Sequence, residues 1–533
     1  MLLEGSLIIT CDVPRNRSLL GPVYLQGHAL CLAFSSLRPA TCGRACIMHS
    51  PDASAGPDND LLPLGNNWFI HNPELRTVRL RYEAIPANHC DLPVAEGDER
   101  TVVSILLQTN TSEAAVVPCL YQPTLNVRSN YSAEAVGDPV AVLHLTIPEC
   151  DMQQLDAARH TPTRVPVHVY IGDPLASTTP FDAYNPHKLT LSDSLEPGDP
   201  LFCTATERVV VFGAYMHSAE EDAIFGITAG QAVQRDAGFA PHPRLQPRKK
   251  HQRRARSSQI ALQCLGTTLS SPSPYTVEKA IDMLDESLGS YVGASGDAML
   301  SQRLQARKQQ HDAELAVLHD ALTHPHDLDV GLACAAEATI RPCNGQLLNF
   351  HSLSNAVSRV PESGHSQGST SSPGSEHTHL LSWALIRMAR KSGDNALTLH
   401  AYPGDLRSGA AVTMNVHDPH LERPLGPYRD GVVNGAPASI IIRGHLAREW
   451  AVFPARGRKG LRFACRGDAG ALLMSVVPDE SEGRPRPLAM LYAAPERGPY
   501  GLVTPLTTIL HRIRDITGMK LRFQGRWWRD SYS

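Results

Sequence analysis

The stretch CRGDAGALL, Cys465–Leu473, decides how the rest of the chain is read. Gly467 and Gly470 bracket Asp468-Ala469, which is the chemistry of a tight turn, and an apolar run follows at once. On its carboxyl side ALLMSVV (Ala471–Val477) and LAMLYAA (Leu488–Ala494) read as short strands. On its amino side SIIIRG (Ser439–Gly444) and EWAVFP (Glu449–Pro454) do the same. A helix closes the series. Thr504 suits its cap, Pro505 its first position, and Gly518 its stop, with Leu506, Ile509, Leu510, Ile513 and Ile516 on one face. The turn therefore sits among strands that lead to one terminal helix.

The bulk composition agrees with such a protein. The chain has 533 residues, enough for two or three domains. It is 42% hydrophobic and 19% charged, a globular balance. Its 41 Pro and 39 Gly suit a loop-rich β protein. The net charge of −4 gives no global reason to bind nucleic acid or an anionic membrane. The 12 cysteines show no paired-knuckle spacing; Cys42 and Cys46 have no second pair downstream, so no zinc site is expected. The opening MLLEGSLIITCDVP lacks a basic start and a proper apolar run, and no signal peptide is read there. No apolar run is long enough to span a membrane. An intracellular, reducing compartment, cytoplasmic or nuclear, is the expectation.

Residues 1–190 read as an N-terminal β-rich domain of short strands, including SLIIT (Ser6–Thr10), TVVSILLQT (Thr101–Thr109) and AVLHLTI (Ala141–Ile147). Stronger strands follow: RVVVFGAY (Arg208–Tyr215) and AIFGITAG (Ala223–Gly230). Two helices are expected next. One carries Val277, Ile281, Leu284 and Leu288 on a face; the other carries Leu300, Leu304, Leu315, Leu318 and Leu322 and is expected to pack on a barrel. PESGHSQGSTSSPGSEHT (Pro361–Thr378) is too polar to offset its ordering entropy and is expected to be disordered.

A serine peptidase needs a nucleophilic hydroxyl, an imidazole base, a carboxylate that orients the base, and backbone N–H groups facing the developing oxyanion. In the trypsin-like family these arrive in the order His, Asp, Ser. Here IFGITAGQAV (Ile224–Val233) resembles the family's histidine motif, with Gln231 at the histidine position. LSWALIRM (Leu381–Met388) resembles its aspartate motif, with Ser382 at the aspartate position; DLDVGLACA (Asp327–Ala335) is a rival that would place the acid at Asp329, although Trp-Ala-Leu-Ile is the better match. CRGDAGALL resembles the serine loop, with Ala469 at the nucleophile. GPYGLVTPLTTILHRIRDITG (Gly498–Gly518) is similar to the closing strand and helix of a group of long fungal members.

The resemblance covers about residues 195–518, with insertions at about 240–325 and 355–380, and a tail at 519–533. It implies a mainly β, trypsin-like double β-barrel with a helical insertion and a C-terminal helix. It also implies a degenerate triad: a glutamine amide is no base near neutral pH, and alanine cannot attack. The backbone amides of Gly467 and Ala469 are expected to keep an oxyanion-like pocket, with Asp468 and Gly470 structural. Catalysis is not expected, nor any metal or cofactor. A pseudoprotease that binds a protein or peptide partner is the leading expectation.

Two other readings stand beside it. One is an active hydrolase with a displaced nucleophile, for which Ser475 is a candidate. The other is a nuclear or nucleic-acid-associated adaptor using RKKHQRRAR, where Arg248, Lys249, Lys250, Arg253, Arg254 and Arg256 put six cations in nine residues. The tail RFQGRWWRDSYS (Arg522–Ser533) joins arginines to Trp527 and Trp528, which are expected to pack back on the domain.

Overall fold

The structure is a computed structural model. It describes residues 61–71, 80–87, 93–126, 133–135, 138–180, 195–218, 222–233, 240–241, 267–291, 298–340, 380–389, 402–416, 428–455, 462–476 and 485–523. The strands expected at Ser6–Thr10, the polar segment Pro361–Thr378, the basic run Arg248–Arg256 and both tail tryptophans lie outside the described residues.

The described chain is mainly β and is built on two sheets. In the first, six strands close a barrel: His445–Pro454, Tyr428–Val433, Ala411–Asn415, Leu472–Ser475, Pro487–Ala493 and Gly501–Pro505, the last returning to pair with the first. The same sheet continues away from the barrel. Ala438–Ile442 forms a hairpin with His445–Pro454 and pairs on its other side with Glu113–Asn126. Beyond Glu113–Asn126 come Val140–Ile147, Val167–Ile171, Trp68–His71 and Leu61–Gly65. The second sheet is a half-barrel, ordered Leu521–Phe523, Ala214–Ser218, Ala223–Thr228, Leu380–Met388, Asp329–Ile340, Thr267–Ser270, Pro200–Cys203, Arg208–Val211 and Thr179–Pro180.

Alternation places the cores. Val412, Met414, Val433, Val452, Leu473 and Val503 fill the closed barrel together with Phe463. Leu201, Val210, Phe212, Tyr215 and Ile386 fill the half-barrel. The terminal helix, Leu506–Thr517, lays Leu506, Ile509 and Ile513 against residues of both sheets, including Trp383, Leu385, Leu472 and Met490. Gly518 ends it in the left-handed region, at φ +82°, as expected of a helix stop. Thr504 is not its cap. It lies in the preceding strand and its hydroxyl donates to Leu380 O at 2.7 Å. The helix carries a second anchor: Arg512 grips the buried Glu337 through Nε and Nη2 at 2.8–3.1 Å.

Two local expectations are corrected. Thr101–Gln108 is helical, part of Pro93–Gln108, although its Val and Ile content reads as strand. Pro93 lacks an N–H and suits a helix start, and Ala95, Val102, Val103 and Leu106 fall on one buried face. Burial of that face overrides the propensity. Among the described side chains, the helix Ala298–Thr323 packs on its neighbour, Pro274–Tyr291, and not on a barrel: Leu315, Leu318 and Leu322 join Val277, Ala280 and Ile281 in one small core.

A polar cluster is buried beside the closed barrel. His144 stacks on Tyr170 with centroids 4.2 Å apart and meets Tyr500 edge-on. Its Nδ1 lies 2.8 Å from Tyr121 Oη, which donates to Tyr170 Oη at 2.9 Å. Burial, with His168 and His71 adding to it, holds the His144 imidazole well below its ordinary range.

Candidate functional site

The three positions read from the sequence sit where the half-barrel meets the turn Cys465–Gly470. Strand Ala223–Thr228 ends in Ala229 and a single 3-10 turn, Gly230–Ala232, which carries Gln231. Only glycine fits at 230, because a Cβ there would stand 2.2 Å from Glu337 O and 2.8 Å from Trp383 O. That close approach brings Gln231 against the strand Leu380–Met388. The Ser382 hydroxyl accepts from Gly230 N–H at 3.0 Å and donates to Gln231 Oε1 at 2.5 Å. Both residues are 1% exposed. Gln231 Nε2 is buried and has no hydrogen-bond partner among the described residues. The pair is a neutral amide and a hydroxyl, so neither member can take up a proton near neutral pH.

Ala469 is equally buried, and its methyl belongs to the apolar core that holds Ala229 and Ala232 on either side of Gly230-Gln231. The turn that carries it is fixed from several directions. Val211 N–H donates to Ala469 O at 2.9 Å, and Gly470 N–H donates to Leu491 O at 2.8 Å. Gly467 and Gly470 adopt φ of +97° and +103°, which favour glycine. Asp468 faces inward and accepts from Cys465 N–H at 2.6 Å and from Arg429 Nη1 at 2.7 Å. Asp468 and Arg429 side chains are 8% and 11% exposed, so the turn is held by a nearly buried ion pair.

The amide of Gly467, expected to contribute to an oxyanion-like pocket, donates to Ser177 O at 3.1 Å. The segment that supplies this carbonyl comes from the first 190 residues, and no sequence signal connects it to the turn. Arg429 is likewise invisible as a partner of Asp468 until the strand Tyr428–Val433 is placed; its only sequence cue is a charge at the start of a strand.

The other candidates lie apart. Asp329 pairs across the sheet with Ser270, whereas Ala338, toward the other end of the same strand, stands opposite Ser382; the fold does not bring Asp329 to Gln231. Ser475 ends the strand Leu472–Ser475 and its hydroxyl accepts from Arg486 N–H at 3.0 Å.

Among the described residues, no group of three or more His, Cys, Asp or Glu could hold a metal ion, and Cys119, Cys150 and Cys203 are free thiols. No helix among them is long and apolar enough to cross a membrane. No protein-family model matches this chain, and no curated protein matches it.

Proposed function

We propose that this chain is a catalytically silent homologue of the trypsin-like serine peptidases, acting as a binding or scaffold protein. The observation that carries the reading is the buried pair Gln231–Ser382 standing beside a Gly-Asp-Ala-Gly turn, in the chain order of a triad. The closed barrel, the half-barrel and the terminal helix support it, since they are compatible with a double β-barrel. In this reading Gln231 replaces the base, Ser382 the orienting acid and Ala469 the nucleophile. The hydrogen bond from Ser382 to Gln231 keeps the contact between acid and base positions after both lost their charge.

Loss of every triad group leaves only residual effects, on the order of 10³–10⁴ over water, far below a working peptidase. The expected result is no labelling by a fluorophosphonate probe and no cleavage of casein. Ala469→Ser alone restores neither, because the amide at 231 cannot accept the hydroxyl proton. Stoichiometric labelling of any serine in the unaltered chain overturns the proposal.

A further inference from the structure

The groove beside the Gly467 amide is filled by the chain itself. After the strand Val167–Ile171, the backbone turns at Pro174-Leu175 and reaches the short strand Thr179–Pro180. Three successive carbonyls of this stretch are read by donors from outside it. Ala176 O accepts from Ala494 N–H at 2.8 Å, Ser177 O from Gly467 N–H at 3.1 Å, and Thr178 O from Arg466 Nε at 2.9 Å. At its start, Glu496 N–H donates to Asp173 O at 2.9 Å, and Asp173 N–H donates to Glu496 Oε2 at 3.2 Å. At its end, Thr179 and Pro180 pair with Val209 and Arg208. The segment thus crosses from the rim of the closed barrel, past the turn, to a strand of the half-barrel.

Reading of this kind is main-chain recognition, the same device by which extended peptides add to a sheet edge. It does not depend on side-chain identity, so another peptide could satisfy the same donors. Two side chains are read as well. Leu175 lies in the apolar core that holds Tyr492 and Ala493. Thr178 Oγ1 accepts from Arg208 Nη1 at 2.8 Å. Ala176 and Ser177 between them are small, and all four residues from 175 to 178 are at most 8% exposed.

We infer that this groove is a binding site for an extended peptide with a branched aliphatic residue three positions before a threonine or serine, and that Asp173–Pro180 occupies it as a tethered competitor. The inference rests on the peptidase-homologue reading of the turn, and it adds what the retained cleft takes and what keeps it closed. A tethered competitor acts at an effective concentration of about millimolar, so an external peptide binds only the small fraction of chains whose groove is open.

The test uses the full chain and a fluorescent synthetic peptide spanning Gly172–Phe181. Leu175→Asp puts a charge into the apolar core and releases the segment. Hydrogen exchange by mass spectrometry should then quicken at Gly467, Ala494 and Glu496, and added peptide should restore the protection. The variant is expected to bind the peptide at least about tenfold more tightly than the unaltered chain. If Leu175→Asp prevents folding, Thr178→Val alters the segment alone, removing its acceptor for Arg208 and leaving every donor of the site in place, and is read the same way with the same unaltered peptide. A folded variant with quickened exchange but no peptide binding makes the segment a permanent strap and overturns the inference. So does equal binding by variant and unaltered chain, or a Gly467 amide that exchanges freely in the unaltered chain. None of these readouts depends on fluorophosphonate labelling, so the two proposals fail separately.

Discussion

Asp468→Ala removes one half of the ion pair that holds the turn Cys465–Gly470. The other half, the guanidinium of Arg429, is 11% exposed and loses its counter-charge. Breaking a buried pair from one side costs about 3–5 kcal/mol, because an uncompensated charge stays behind in poor solvent. An exposed pair of the same geometry would cost about 0.2–1 kcal/mol. The Cys465 amide also loses its acceptor, which works in the same direction. The two losses share one carboxylate and do not add, so the expected destabilisation is about 3–5 kcal/mol. Arg429→Met combined with Asp468→Ala removes both charges and should recover much of that loss. Urea unfolding of the unaltered chain, both single variants and the double variant measures the cycle, and amide exchange at Gly467 reports whether the loss begins at the turn. A cost below about 1 kcal/mol for Asp468→Ala, or a double variant no better than the single, would falsify the description of this pair as buried and mutually compensating.

Two further predictions follow from the buried groups. Arg512→Ala takes the cation away from the Glu337 carboxylate, which is 1% exposed and keeps the Trp383 Nε1 donor at 3.3 Å, and should cost about 3–5 kcal/mol; Arg512→Lys, which keeps the charge but loses the two-pronged grip, should fall between. A urea midpoint for Arg512→Ala equal to that of the unaltered chain rules out the anchor. His144 is held neutral in the fold, with its imidazole depressed by burial and by His168 and His71. The unfolded chain takes up that proton below about pH 6.5, so stability contributed by the neutral ring is present above that pH and lost as pH falls, at up to about 1.4 kcal/mol per pH unit. His144→Gln should remove that part of the slope in a series of unfolding midpoints taken down to about pH 5. An unchanged slope assigns it to other groups.

What the sequence made legible was local. The run from Ser439 to Ala494 breaks into short apolar stretches separated by turn residues, and the strands Ala438–Ile442, His445–Pro454, Leu472–Ser475 and Pro487–Ala493 lie on those stretches. The terminal helix was legible because a stripe of Leu and Ile ends at a glycine that can take a positive φ. The Val- and Ile-rich stretch after Thr101 reads as strand by residue type, whereas the helical spacing of Ala95, Val102 and Leu106 matches the face the fold buries. At the site, Gln231 and Ser382 could be paired from motif order. The partners Arg429 and Ser177 could not, since each reaches the turn through folding of distant strands and neither belongs to a motif. The destination of the stripe at Leu315, Leu318 and Leu322 was ambiguous for a similar reason: an apolar face predicts burial and not the element that buries it.

The hairpin Ala438–Ile442 and His445–Pro454 has a consequence for the nascent chain. Its first arm completes the edge of Glu113–Asn126, pairing Val116 with Ser439, and those partners leave the ribosome roughly 320 residues apart. At about 5–20 residues per second, that edge waits roughly 16–64 seconds with its backbone donors and acceptors unpaired. An unpaired strand such as Glu113-Ala-Ala-Val-Val is a template for association between chains. During synthesis, then, the burden of keeping this protein apart from its own copies falls on whatever shields Glu113–Val116 until residue 442 emerges.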